Sequence, residues 1–192
     1  MSEKLETQIS GKYSKEEPRL FDFKKSMEEA NIKVNYPAGD GVIEDKQDFT
    51  ITHDSELNRP FHETEIDFLK SIKDTPIHVV FNLFKDKEGY IGESASIEIA
   101  YALAHNKPMV LLRNPVFAEG VPVDIRDIIT EKIDKISILG LDSLSPAEIE
   151  KFLQDLTRQS VDYELSSEQK KTCMRYITIL LKSKRRDWKN KD

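Results

Sequence analysis

The stretch IHVVFNLFKDKEGYIGESASIEIAYALAHNKPMVLLR, from Ile77 to Arg113, decides the fold. It opens on a short apolar run rich in branched residues, Ile77 to Phe84, and closes on a second, Pro108 to Arg113. Runs of this length and composition read as strands covered on both faces. Between them Ala95 to His105 is an apolar helical stretch, stopped by Asn106, Lys107 and Pro108. A strand, a crossing helix and a second strand predict a right-handed parallel unit.

Outward from this unit, Lys135 to Leu141 reads as another strand. Leu20 to Ala30 reads as an amphipathic helix carrying Leu20, Phe23 and Met27, followed by a strand from Ile32 to Tyr36. Leu5 to Ser10 is a weaker strand candidate. The alternation predicts an α/β fold with the strand order 2-1-3-4-5. One feature resists that order: the first strand would be central, yet Glu6 and Gln8 are polar where a doubly covered strand should be apolar.

Gly39 to Pro60 is polar and irregular, with Asp40, Gly41, Asp45, Asp48, Asp54 and Asn58. It reads either as a lid or as a connection crossing the sheet edge. Asn114 to Ile125 is a second connection. Ser145-Pro146-Ala147-Glu148 announces a helix to about Arg158, and Ser166-Ser167-Glu168 another to about Lys184. Residues 1–142 are therefore expected to form the α/β domain. Residues 143–192 form a C-terminal helical appendage whose apolar residues pack on the sheet or on a second subunit.

The 192 residues are 38% hydrophobic and 33% charged, which fits a single core with a short extension. No apolar run approaches the roughly 20 residues needed to cross a bilayer, and Met1 to Thr7 is polar with both signs of charge. A cytoplasmic protein without a membrane partner is expected. A net charge of −6 argues against a nucleic-acid polymer as partner. The local cluster Lys182, Lys184, Arg185, Arg186, Lys189 and Lys191 suits either a solvated helix end or a binding patch. Cys173 is alone and reads as a structural thiol. His62, His78 and His105 lack ligand spacing, so neither a metal nor another cofactor is expected.

Ligands of open α/β sheets bind beyond the carboxyl ends of the strands, which is where Asn82 to Ala102 falls. Gly89 and Gly92 permit tight turns or close approach, and Ser94 is placed to cap the following helix. Glu98 is the sole charged residue from Ala95 through Ala104. Buried without a partner its carboxylate would cost several kcal/mol, by order of magnitude, so it should face a cleft or a partner. With Ser94 as the cap, Glu98 lies one turn into the helix, where the dipole favours its ionised form.

Gly89-Tyr90-Ile91-Gly92-Glu93-Ser94, then Glu98-Ile99-Ala100-Tyr101-Ala102-Leu103, then Lys107-Pro108, resembles the signature of the nucleoside 2-deoxyribosyltransferase-like family. The likeness covers about Ile72 to Leu112, the upstream half only in outline, and the C-terminal helices not at all. It implies a flavodoxin-like (Rossmann-like) parallel sheet and an enzyme acting on the N-glycosidic bond of nucleosides or nucleotides, by deoxyribosyl transfer or by hydrolysis. It makes Glu98 the nucleophile of a double displacement. It also places Gly11 and Tyr13, after the first strand, against the substrate, with Lys12 and Arg19 as candidates for a 5′-phosphate. Asn82, Asp86, Gly89, Tyr90, Gly92, Glu93 and Ser94 complete the expected substrate contacts, with Asp86 or Glu88 as candidates to protonate the leaving base. The family further implies a homodimer or higher homo-oligomer. Two other readings stay open: a noncatalytic nucleotide-binding sensor on the same fold, and an interaction module that docks a partner through its C-terminal helices.

Overall fold

The computed structural model describes residues 4–46 and 49–189; Met1, Asp48, Lys191 and Asp192, which enter the sequence reading, lie outside them. Five strands, β1 (Leu5–Gly11), β2 (Ile32–Val34), β3 (Ile77–Phe81), β4 (Met109–Leu111) and β5 (Ser137–Ile138), make one sheet. Every neighbouring pair is parallel, and the spatial order is 2-1-3-4-5, as the alternation of elements predicts. Among the described residues six α-helices flank it: α1 (Arg19–Glu29), α2 (Phe61–Asp74), α3 (Glu93–Ala104), α4 (Val123–Glu131), α5 (Pro146–Thr157) and α6 (Ser167–Lys189).

Strand parity sorts the core into two layers. On β3, Ile77, Val79 and Phe81 join Ile9 of β1 and Val110 of β4 beneath α1 and α5. Val80, Met109 and Leu111 point the other way, beneath α2, α3, α4 and α6. The two C-terminal helices thus complete opposite layers. Ile149, Leu153 and Leu156 of α5 are buried on the first face, and Cys173, Ile177 and Leu180 of α6 on the second. These residues pack on the sheet and its helices, while Met174 of α6 stays 44% exposed. Ser145 and Glu148 close a capping box at the start of α5. Ser166 and Gln169 exchange the equivalent pair of bonds at the start of α6.

Two helices escape the sequence reading. α2 occupies 61–74, to which no element is assigned, and α4 begins inside the expected connection. In α2, Phe61, Phe68, Leu69 and Ile72 form the buried stripe, and the helix stops before Thr75-Pro76, where the residue preceding proline turns extended. The first strand of the unit is also shorter than read. It ends at Phe81 because the Asn82 amide clamps the next strand's end, donating to the Arg113 carbonyl oxygen at 2.7 Å and accepting from its N–H at 3.0 Å.

The polar residues of β1 have partners. Glu6, at the half-exposed end, accepts from Lys33 and Asn35. Gln8 is fully buried between Thr75, whose hydroxyl donates to Oε1 at 2.6 Å, and His78, whose Nδ1 accepts from Nε2 at 2.7 Å. Parity puts Gln8, Ser10 and His78 on one face, the face α3 covers. Gln8→Leu would leave His78 Nδ1 without its donor inside the core. We expect a loss of about 1–3 kcal/mol in unfolding free energy, read by urea denaturation with an unchanged m-value.

Candidate active site

At the carboxyl ends of β1 and β3, beside the switch in strand order, a cavity of about 620 Å³ opens between α2, α3 and α6. That volume falls in the range of small-molecule sites. Gly11 ends β1 there; a Cβ on it would stand 2.8 Å from both the Phe81 carbonyl oxygen and Leu20 Cδ1, so only glycine fits this approach.

Of the residues the sequence singles out, Gly11, Tyr13, Tyr90, Gly92, Glu93, Ser94 and Glu98 line the cavity. Lys12 does so as well, while Arg19 is engaged by Glu17 at 2.6 Å and stays outside the lining. Three other expected contacts, Asn82, Asp86 and Gly89, stand outside the lining. Asn82 is buried with both amide atoms committed to Arg113. Asp86 is exposed and outside the lining, as is Glu88, which lies 3.4 Å from Arg113 Nε. Gly89 serves the loop: its φ of +82° and the 2.1 Å approach of the Asn114 carbonyl oxygen to a would-be Cβ exclude a side chain. This shapes Tyr90 and Ile91 into a short pairing with Val116 and Phe117, which holds the loop as a fixed wall.

The long polar segment is a wall too. It contains a hairpin, Glu44–Lys46 with Phe49–Ile51, and a 3-10 turn, Asp54–Glu56. Thr50, Thr52 and Glu56 line the cavity. Glu56 is held by the N–H groups of Thr52 and His53 at 2.8 and 3.1 Å, and Lys24 ties down the segment's start through the Gly39 carbonyl oxygen at 2.9 Å.

α3 begins with Gly92 as its cap, and Ser94 lies inside the helix without a capping bond. Glu98 therefore lies in the second turn, where the dipole's help has faded. It is 9% exposed. Burial, then the charge of Glu65, push its carboxyl up to about 8, opposed by the Ser10 hydroxyl and by Lys184. Against the ionised carboxylate expected from sequence, burial and Glu65 both favour the protonated form.

Behind Glu98 the buried network has a direction. Because Gln8 donates to His78 Nδ1, the ring proton sits on Nε2, which faces Ser10 Oγ at 3.2 Å. The serine hydroxyl is then free to donate to Glu98. His78 remains neutral, its value driven down to about 3 by burial alone, so it orients Ser10 without storing charge. The Tyr13 hydroxyl donates to the Ile9 carbonyl oxygen, and burial followed by the charge of Glu98 raises it well above the usual phenol range. A neutral aromatic face is what Tyr13 offers the cavity.

Among the lining residues not singled out from sequence, two carry charge on a buried helix face. Glu65 of α2 and Lys184 of α6 form an ion pair at 3.4 Å with both side chains at most 10% exposed. Each occupies an apolar stripe: Glu65 falls between Phe61 and Phe68, and Lys184 continues Cys173, Ile177 and Leu180. A charge on the buried face of an amphipathic helix was the signal available. Among the described residues no group of three or more His, Cys, Asp or Glu is arranged to hold a metal ion, and no helix is long and apolar enough to cross a membrane. Compared with known proteins, the chain matches no family model, no curated protein and no solved structure.

Proposed function

We propose that the protein cleaves the N-glycosidic bond of a nucleoside or nucleotide through a glycosyl ester on Glu98, passing the sugar to a second base or to water. The observation that carries this reading is the carboxyl of Glu98, buried yet opening on a 620 Å³ cavity and braced from behind by the Ser10 hydroxyl. In the first step a Glu98 oxygen bonds to the anomeric carbon. The carbon–nitrogen bond breaks, its electron pair goes to the base, and a proton reaches that nitrogen. A neutral carboxyl and a nucleoside thus become an ester and a protonated base, with no net change of charge in the buried site. In the second step an acceptor base or water attacks the same carbon, the ester bond breaks, and the acceptor's proton returns to the carboxyl group.

The lining carries four carboxyl groups, Glu56, Glu65, Glu93 and Glu98, against two lysines, Lys12 and Lys184. Such a wall suits a neutral nucleoside better than a polyphosphate. Tyr13 and Tyr90 offer aromatic faces on which a base can stack. Assembly into a homodimer or larger homo-oligomer belongs to the same proposal and is read by light scattering.

The test is incubation with ribo- and deoxyribonucleosides and their 5′-monophosphates, with and without an acceptor base, followed by chromatography of free base. Release of base supports the reading, exchange of bases marks a transferase, and no release from any of them overturns it. A second reading, a nucleotide-binding sensor, draws on the protonated state of Glu98 at neutral pH, in which the carboxyl is a hydrogen-bond donor to a ligand. It requires tight binding by calorimetry with no release.

A further inference from the structure

The proposed reaction needs a group that takes the proton from Glu98 as it becomes a nucleophile and delivers it to the departing base. Asp86 and Glu88 stand outside the cavity. Glu65 stands inside it, 7% exposed, on the helix that faces α3. Its Oε2 is paired with Lys184, while its Oε1 is buried and has no hydrogen-bond partner among the described residues. The hydroxyl of the preceding Thr64, also in the lining and 7% exposed, is likewise unpartnered among them. Buried polar atoms are almost always bonded, so two adjacent orphans on a cavity wall mark a place where a ligand supplies the missing partners.

We propose that Glu65 is the general acid and base of the reaction, relaying between Glu98 and the leaving nitrogen the single proton that the two carboxyl groups share. This rests on the reading of Glu98 as nucleophile. In the resting cavity Glu98 holds the proton and Glu65 is paired with Lys184. As the sugar binds, the proton passes to Glu65 Oε1. Glu98, now ionised, bonds to the anomeric carbon while the base leaves with the electron pair of the broken bond and the Glu65 proton. In the return step Glu65 accepts a proton from the attacking water or acceptor base, the bond from Glu98 to carbon breaks, and the shared proton is restored. Lys184 balances the charge of whichever carboxyl group is ionised.

Ser10 and, through it, His78 from the sheet act on this pair together with Lys184 from α6; Lys12 and Tyr13 after β1, Glu56 from the polar wall and Glu93 at the start of α3 share the cavity wall. Of the charges, that of Glu65 acts most strongly on Glu98. Removing it lets Glu98 ionise at lower pH, and the proton is then absent when the base must leave.

Glu65→Gln, nearly the same in shape, tests the relay. Two substrate types are compared: the nucleosides of the panel, whose bases leave only with a proton, and 7-methylpurine nucleosides, whose bases depart neutral without one. We expect kcat on ordinary nucleosides to fall about 10²- to 10⁴-fold, with KM little changed and the loss on 7-methylpurine nucleosides tenfold or less. The alkaline limb of kcat/KM should also move to lower pH. An equal loss on both substrate types, no loss on either, or an unmoved limb overturns the relay while leaving Glu98 as nucleophile intact. Failure of the unaltered protein to release base from any substrate overturns both. Circular dichroism and thermal melting of the variant separate a chemical loss from a folding defect.

Discussion

Glu98→Gln is expected to lower base release by a factor on the order of 10³ or more and, above pH 8, to make the protein more stable than its parent. An amide keeps the shape and still accepts from Ser10, yet it forms no glycosyl ester. The stability effect follows from the raised carboxyl. Its ordinary value of 4.5 governs the unfolded chain and about 8 the folded one, so between those limits the folded state binds a proton that the unfolded state does not. Stability relative to the variant is then fully present below pH 4.5, declines as pH rises, and reaches its lower plateau once pH passes 8. A shift of this size corresponds to about 3–5 kcal/mol. Urea denaturation of both proteins at pH 4.5, 6.5 and 9 should therefore show a difference that grows with pH. A constant difference would mean that Glu98 is not held protonated, and the cavity would then lack the proton that base departure requires.

How much of this was legible in the sequence depends on what each residue's neighbours make of it. The sheet order was readable because Ile77 to Phe81, Met109 to Leu111 and the helix between them carry their burial in composition alone. Glu98 was readable for the opposite reason, as one charge in an apolar helix. Its protonation was not, because that depends on Glu65, Ser10 and Lys184, which come from α2, β1 and α6. Gln8 looked like an objection to a central strand until His78 and Thr75 were found on either side of it, contacts about seventy residues away in sequence. Asn82 shows the limit of position as a guide. It stands at a strand end on the ligand side, yet a bond to the adjacent strand uses up its amide. The missed pair, Glu65 and Lys184, was hidden because α2 was not recognised and because a lysine near a basic C-terminus looks like solvent-facing charge. Only the period of its helix places it inward.

That inward lysine carries the second large effect. Lys184→Met should fill the same space beside Leu180 but leave Glu65 as a buried carboxylate without its cation. Breaking one side of a buried pair costs about 3–5 kcal/mol, so the variant should unfold at markedly lower urea at pH 8. The pH profile should move in the direction opposite to that of Glu65→Gln. Lys184 opposes the rise of the Glu98 carboxyl, so its removal pushes that group further above 8 and moves the alkaline limb of kcat/KM to higher pH. The double variant Glu65→Gln with Lys184→Met separates pairing from space-filling. If the ion pair is the cause, most of the stability lost in Lys184→Met returns once Glu65 is neutral, because no buried charge remains to be compensated. If the loss persists in that background, Lys184 acts through its contacts along α6, and the charge balance assigned to the two carboxyl groups must come from elsewhere in the cavity.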